Sequence, residues 1–386
     1  MNNWCWSRFD FKSYLIIFLV EFMLSPQEQS RYSKQTILPE FGIGGQEKLR
    51  AAKVLVIGAG GLGCPVLQYL VAAGLGEIGI ADGDTISISN LQRQVLYTEQ
   101  EVGRQKAIVA ADKLSALNPH VKINAHPFFI DDTNALDLIR AYDVVVDGSD
   151  NFATRYLVND ACVMLGKPMV SGAIYKFEGQ VSVFNYNNGP TYRCIFPEPP
   201  GADESPNCAD IGVIASLPGI IGTIQANEVI KMISGIGEVL SGKLLVIDTL
   251  TMETHIFHFK LNEANKNITH LKAMQQVCEV PVKMIGYEEL LKIMRETNNV
   301  QLIDVRDEIE HAAWNIGGVN IPLSQLEEKV HLLNMGNPVI AYCASGARSG
   351  RFAERLMQMG FKNVVSLRDG IRHLALQASG PHSKPL

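Results

Sequence analysis

The stretch KVLVIGAGGLG (53–63) limits the possible folds more than any other segment of the chain. KVLVIG reads as a buried strand and runs directly into glycines that open a helical pattern, GLGCPVLQYLVAAG (61–74), itself ending at a glycine. In that context G-x-G-x-x-G is informative. Glycine lets the backbone approach a phosphate closely, and the helix N-terminus offers free N–H groups and a favourable dipole. Candidate nucleotide contacts are therefore Gly58, Gly60, Gly61 and Gly63. Asp82 ends the next strand, EIGIAD (77–82), nineteen residues after Gly63, where a carboxylate can bind ribose hydroxyls. These features alone suit an ATP site, but they suit an NAD-dependent oxidoreductase first.

Short apolar runs and helical runs keep alternating beyond this point. A helix at about 103–117, DVVVDGSDN (143–151), a helix over 151–166 and KPMVSGA (167–173) follow in turn. GQVSVFNY (179–186), a helix at about 215–234 and KLLVIDTL (243–250) complete the series. The pattern predicts an α/β fold with a mainly parallel sheet covered on both faces. FPEPPGADESPN (196–207), with four prolines, reads as a mobile loop. Polarity rises over LNEANKNITHLKAMQQ (261–276), and a smaller alternating unit then begins. It contains QLIDVRD (301–307), PVIAYC (338–343), a helix from about Ala347 and NVVSL (363–367). The expected organisation is an N-terminal extension (1–27), a nucleotide-binding domain (28–262), a linker (263–281) and a second α/β domain (282–386).

Bulk properties narrow the class. Apolar residues make up 47% of the chain, enough for substantial cores, and the net charge of −6 offers no basic surface for nucleic acid. Seven scattered cysteines do not form a disulfide framework and suit a reducing cytosol, so a cytoplasmic location is expected. YLIIFLVEFML (14–24) is eleven residues long and interrupted by Glu21, too short to span a bilayer. No small-residue cleavage site follows it. Residues 1–22 therefore read as an extension ahead of a start at Met23, and no membrane partner is expected.

The segment after Asp82 changes the ranking of ligands. DGDTISISNLQRQ (82–94) and VGRQKA (102–107) add Asn90, Arg93 and Lys106, more polyphosphate-binding groups than a nicotinamide dinucleotide needs. DGSDN (147–151) puts Asp150 at a strand's carboxyl end, where open α/β sheets bind ligands and a carboxylate can help hold Mg²⁺.

RYSKQTILPEFG, GAGGLG, SNLQRQ, VGRQKA, DGSDN and VSGA follow one another over about 28–262. This succession resembles the adenylyltransferases related to ubiquitin-activating enzymes, most of all the molybdopterin-synthase and thiamin sulfur-carrier adenylyltransferase group. The resemblance implies a Rossmann-like, ATP-binding, Mg²⁺-dependent homodimer. Its reaction would be adenylylation of the C-terminal glycine of a ubiquitin-like sulfur-carrier protein ending in Gly-Gly. By motif, the glycine loop around Gly61 would hold the nucleotide and Asp82 the ribose. Ser89, Asn90, Arg93 and Lys106 would contact phosphates, Asp150 would position Mg²⁺, and Asn151 would complete the adenosine site. The family's trans-subunit arginine falls on Lys34, which keeps the charge but loses the bidentate fork, while Arg31 is present nearby.

Relatives in this group carry two C-x-x-C pairs that bind zinc. Here they fall on TYRC (191–194) and CEVP (278–281), so only Cys194 and Cys278 remain, and the expectation is that zinc is absent. His270 is the nearest conceivable stand-in. Cys208 matches the cysteine that relatives use for a covalent link to the carrier. A buried apolar cysteine is the alternative, and both readings stay open. Cys64 and Cys162 fall on helices and are expected to pack.

CASGAR (343–348) is C-x4-R, with the cysteine ending a strand and the arginine opening a helix. Cys343, Ala344, Ser345, Gly346, Ala347 and Arg348 can form an anion-binding nest that favours a thiolate or persulfide. A phosphatase loop would be one residue longer. With LIDVRDEIEHAAWNIGGVNIPL (302–323), the segment 282–376 resembles a rhodanese-like sulfurtransferase domain, which makes Cys343 the persulfide carrier and a cysteine desulfurase or similar protein the persulfide donor. It departs from that family in WNI before the glycines and in the tail RDGIRH. The combined expectation is adenylylation of a carrier, molybdopterin synthase's small subunit first and a thiamin-pathway carrier second, followed by sulfur transfer. An NAD-dependent oxidoreductase with a rhodanese-like tail and a non-catalytic carrier-binding scaffold are the alternatives.

Overall fold

The computed structural model describes residues 24–199, 212–271, 282–371 and 374. Residues 1–23, Cys208 with most of the proline-rich segment, and Cys278 lie outside the described residues. The chain divides into two compact units, Met1–Met274 and Gln275–Leu386.

The first unit opens with α1 (Pro26–Thr36) and α2 (Gly42–Ala51). Ser25 caps α1 reciprocally with Glu28, each side chain accepting the other's backbone N–H, and proline at the first turn fits because it lacks an N–H to satisfy. Next come β1 (Lys53–Ile57), α3 (Gly63–Ala73), β2 (Glu77–Ala81), α4 (Lys106–Leu117), β3 (Lys122–His126) and α5 (Ala135–Arg140). They are followed by β4 (Val144–Asp147), α6 (Phe152–Leu165), β5 (Met169–Tyr175), β6 (Glu178–Phe184), α7 (Ser216–Ser234), β7 (Lys243–Asp248) and β8 (Thr254–His258). Helices α3, α6 and α7 end where expected, at Gly74, Gly166 and Gly235, each in the left-handed conformation that glycine adopts without strain.

These strands form one eight-stranded sheet in the order β3-β2-β1-β4-β5-β6-β7-β8. From β3 to β5 all pairs are parallel, and from β5 to β8 all are antiparallel. The antiparallel extension, and the strands β3 and β8, go beyond the sequence reading. Strand β1 explains the two-sided core: Val54 and Val56 join the cluster under α3, α4 and α7, whereas Leu55 and Ile57 join the one under α5 and α6. β1 pairs with β2 on one side and β4 on the other, so strand order reverses between β1 and β4. Ligands of open α/β sheets bind at such a reversal, off the carboxyl ends of the strands.

The second unit contains β9 (Lys283–Ile285), α8 (Tyr287–Glu296), β10 (Gln301–Asp304), α9 (Glu308–Ala313), β11 (Val319–Asn320), α10 (Leu326–Lys329), β12 (Val339–Tyr342), α11 (Ala347–Gln358) and β13 (Val364–Leu367). Its five-stranded sheet, β11-β10-β12-β13-β9, is parallel throughout. Strand β12 again divides its side chains between two clusters, Val339 and Ala341 in one, which Cys343 just after the strand also joins, and Ile340 and Tyr342 in the other. No described helix is long and apolar enough to cross a membrane.

Candidate active sites

In the first unit the glycine loop is fixed by close backbone contacts. Gly58 has φ +88°, and a Cβ there would lie 2.8 Å from Gly148 O; a Cβ on Gly63 would lie 1.8 Å from Gly58 O. Any side chain at either position would push the loop off β4 or off α3. A Cβ on Gly61 would meet Pro218 at 3.1 Å and the Arg93 stem at 3.7 Å, so Arg93 runs beside the loop. A Cβ on Gly60 would meet Gln94 Nε2 at 3.5 Å; Gln94 is buried and its Oε1 has no partner among the described residues.

Asp82 locks the loop to β2. Its Oδ2 accepts Ala59 N–H at 2.7 Å and its Oδ1 accepts Asp84 N–H at 2.8 Å. Burial pushes this carboxyl above its ordinary value, against the pull of Lys106 and both N–H donors. Lys106 is itself buried and pairs with Asp84 at 2.9 Å. Tyr97 donates to Ala59 O at 2.8 Å. Asp82 and Arg93 thus lie at the loop itself, and Lys106 is close enough to Asp82 for its charge to act on that carboxyl. Ser89 and Asn90 sit on a short 3₁₀ turn, where Ser89 O accepts from Arg93 Nη1 at 3.1 Å and the Asn90 carboxamide accepts Ser87 N–H at 3.2 Å.

At the end of β4 the structure adds residues that the sequence reading missed. Asp147 is fully buried and accepts from Ser149 N and Oγ, from Ser171 Oγ at 3.0 Å and from Arg155 Nε at 2.9 Å. Arg155 also donates to the carbonyls of Ser149 and Gly172, and Gln225 Nε2 donates to Asp147 O. Burial works against the Arg155 charge, but the Asp147 carboxylate outweighs it and holds the guanidinium above its ordinary value. This buried knot fixes the segment that presents Asp150, whose carboxylate is exposed and has no hydrogen bond or ion pair among the described residues. A lone carboxylate of this kind is one that a Mg²⁺ ion can use when its other ligands are phosphate oxygens and water. The oxygen of Asn151 caps α6 by accepting Thr154 N–H at 2.8 Å, a local role beyond the adenosine contact expected from its motif.

Arg31 and Lys34 are the two groups expected by motif to serve a partner subunit's phosphates. Arg31 is exposed and donates to Leu117 O at 3.1 Å, and Lys34 is exposed; among the described residues no hydrogen bond or ion pair ties either to the glycine loop. The Cys194 sulfur accepts from Thr191 N and Asn262 N, both at 3.3 Å, and from Asn265 Nδ2 at 3.7 Å. Burial alone would raise this thiol, but those hydrogen bonds bring it below its ordinary value. Burial pushes the Cys64 thiol up to about 12 and raises Cys162 further, in keeping with packing roles.

In the second unit Cys343 directly follows β12 and is 1% exposed. Its sulfur accepts Gly346 N–H at 3.1 Å, one of the loop N–H groups that a nest would supply. Gly346 has φ +93°, and a Cβ there would lie 2.0 Å from Arg368 O; a Cβ on Gly370 would lie 2.4 Å from Ala344. Ile371 N–H donates to Cys343 O at 2.9 Å. The unusual tail RDGIRH therefore begins as the wall behind the loop. Ser345 is exposed at the loop's surface, and Ala347 begins α11. Arg348 does not approach the thiol by hydrogen bond; it forms a two-pronged pair with Glu310, at 2.7 and 2.9 Å. The stretch that carries Glu310 is anchored by buried Asp304, which accepts from Arg306 and pairs with His311 Nδ1 at 2.8 Å.

Comparisons with known proteins match a family to each unit. The ThiF family model matches residues 32–274, and the rhodanese-like domain model matches residues 287–375. The probable adenylyltransferase/sulfurtransferase MoeZ of Mycobacterium tuberculosis is 41% identical over 365 residues, covering 90% of this chain and 93% of that protein. The adenylyltransferase and sulfurtransferase MOCS3 of Drosophila grimshawi is 41% identical over 84% of this chain and 78% of its own. The sulfur carrier protein adenylyltransferase of Thermus thermophilus is 54% identical over 58% of this chain and 84% of its own. Among solved structures, E. coli MccB with ATP superposes with a TM-score of 0.53 at 25% identity, covering 65% of this chain and 79% of that one.

Proposed function

The chain belongs to the ThiF family and carries a rhodanese-like domain, and from that premise we propose a two-step synthesis of a protein thiocarboxylate. The chain adenylylates a ubiquitin-like sulfur carrier and then delivers sulfur from a rhodanese persulfide. The observation that supports this reading is that Arg93 runs beside the glycine loop, while Lys106 acts on Asp82, the carboxylate that holds the loop. Such a set of groups suits a polyphosphate.

In the first step the carrier's C-terminal carboxylate attacks the α-phosphorus of ATP, and pyrophosphate leaves as acyl-adenylate forms. Catalysis of this kind rests on positioning and charge neutralisation. The glycine loop offers backbone N–H groups, Asp82 the ribose acceptor, and Arg93 and Lys106 positive charge. Asp150 would hold Mg²⁺, which when bound neutralises phosphate charge. Arg31 and Lys34 would serve a partner subunit's phosphates in a homodimer.

In the second step the outer sulfur of a Cys343 persulfide attacks the acyl carbonyl and AMP leaves, giving Cys343–S–S–C(O)–carrier. A thiol then attacks Cys343 Sγ, the thiocarboxylate leaves, and a mixed disulfide remains. Cys208 keeps the role its motif implies, a candidate covalent link to the carrier. The persulfide donor is a protein such as a cysteine desulfurase, and the proposed setting is the cytoplasm. The proposed carrier is the small subunit of molybdopterin synthase.

The test is carrier-dependent exchange of pyrophosphate into ATP, run with a molybdopterin-type and a thiamin-type carrier each ending in Gly-Gly. Exchange with the former, lost in Asp150→Ala and kept in Cys343→Ala, is expected. Exchange with neither carrier, together with tight NAD binding, would overturn the reading.

A further inference from the structure

Behind Cys343 lie two hydroxyls to which the reaction above gives no task. Ser349, in the first turn of α11, and Ser366, on β13, are both fully buried. Ser366 Oγ donates to Ser349 Oγ at 2.8 Å. Ser349 has one hydroxyl proton and two acceptors within reach, Gly346 O at 3.1 Å and Cys343 Sγ at 3.6 Å. Since Ser366 occupies a lone pair of Ser349, the Ser349 proton is directed away from Ser366 and toward one of those two. An uncharged sulfur is a weak acceptor, whereas a thiolate is a strong one. Gly346 N–H already points at the same sulfur from the loop side.

We propose that Ser366 and Ser349 form a donor relay that turns from Gly346 O to Cys343 Sγ whenever that sulfur carries negative charge. Ser349 touches the reacting sulfur and is a catalytic residue; Ser366 acts through it and is a positioning residue. The relay rests on the reading of Cys343 as persulfide carrier and gives that site a mechanism. During loading, the Cys343 thiolate attacks the outer sulfur of a donor persulfide, the donor's S–S bond breaks, and the donor leaves as a thiolate. During discharge to a small acceptor such as cyanide, as distinct from transfer to the carrier, the acceptor attacks the outer sulfur of the Cys343 persulfide, and the S–S electron pair returns to Cys343 Sγ. The charge sits on Sγ at the start of one step and the end of the other, and the Ser349 proton is placed to meet it in both. The sulfur atom moves without net oxidation or reduction.

The experiment loads the full-length chain with glutathione persulfide, removes the donor, adds cyanide and follows thiocyanate release per loaded chain. Cys343→Ala sets the background. A hydrogen bond to a charged group supports an expected slowing of about tenfold in Ser349→Ala. Ser366→Ala is expected to slow release about two- to threefold, through the weaker orientation of Ser349. In the Ser349→Ala background Ser366→Ala should have no further effect, whereas a loss from general loosening of the domain would repeat there. Thermal unfolding identifies any variant that has lost its fold, and Ser366→Ala, outside the loop, decides the matter should Ser349→Ala not fold. Release at the native rate in Ser349→Ala, or equal fractional losses from Ser366→Ala in both backgrounds, overturns the relay. Thiocyanate release from Cys343→Ala at the native rate overturns instead the persulfide reading beneath it.

Discussion

Glu310 grips the guanidinium of Arg348 through both carboxylate oxygens, and Asp307 lies 3.8 Å from the same group. The cation that closes the C-x4-R loop is therefore already neutralised within its own domain. The pair also holds the Glu310 carboxyl below its ordinary value, the Arg348 hydrogen bond being the largest cause.

Releasing Arg348 should widen the range of sulfur donors. Glu310→Gln removes a negative charge beside the loop, so kcat/KM for thiosulfate, a dianion, should rise about three- to tenfold. Comparing steady-state thiosulfate:cyanide rates of native and variant chains checks this. An unchanged value would mean that Arg348 does not control donor charge.

Acid should unfold the second unit through Asp304. Burial alone would raise this carboxyl, but Arg306 and His311 hold it below its ordinary value. A depressed carboxyl contributes stability that is present above the unfolded value of about 4 and is lost as pH falls through the folded value. Denaturant midpoints for this unit should accordingly drop below about pH 4, and Asp304→Asn should flatten that drop while lowering stability at pH 7. A variant with the native acid profile would remove Asp304 from the account.

Arg155→Ala leaves Asp147 charged, buried and without its cation. Breaking a buried pair from one side costs about 3–5 kcal/mol. The first unit should lose stability on that scale, and carrier-dependent pyrophosphate exchange should fall further than the unfolded fraction explains, because Ser149 O and Gly172 O lose their donor too. Arg155→Lys keeps a charge but cannot reach all three partners, and should recover stability better than activity. Full exchange in Arg155→Ala would show that the knot does not position Asp150.

Cys194 has its sulfur hydrogen-bonded by Thr191, Asn262 and Asn265. Elemental analysis of chain purified without added metal should find well below one zinc per chain, since a structural site needs four ligands. A stoichiometric value that falls in Cys194→Ala would show that Cys194 is a ligand after all.

The parts of the chain that were legible in sequence are those whose cause is local. GAGGLG follows β1 and opens α3, Gly74 and Gly166 stop helices, and Cys343 directly follows β12, because strand periodicity, glycine's access to positive φ and helix N-termini act over a few residues. The antiparallel half of the sheet was not legible. Strand direction there depends on which edge β6, β7 and β8 find, not on their own composition.

The sequence by itself determined the glycine loop, the C-x4-R loop and the elements that bear them. Only the tertiary structure decided the partners of their charged and polar groups. Arg155 closes on Asp147 through the burial of α6, Arg348 meets Glu310 across 38 residues, and Ser366 reaches Ser349 from a neighbouring strand. Each contact needs a desolvated site in which a polar group must find a partner, and such a site exists only after the sheets have packed.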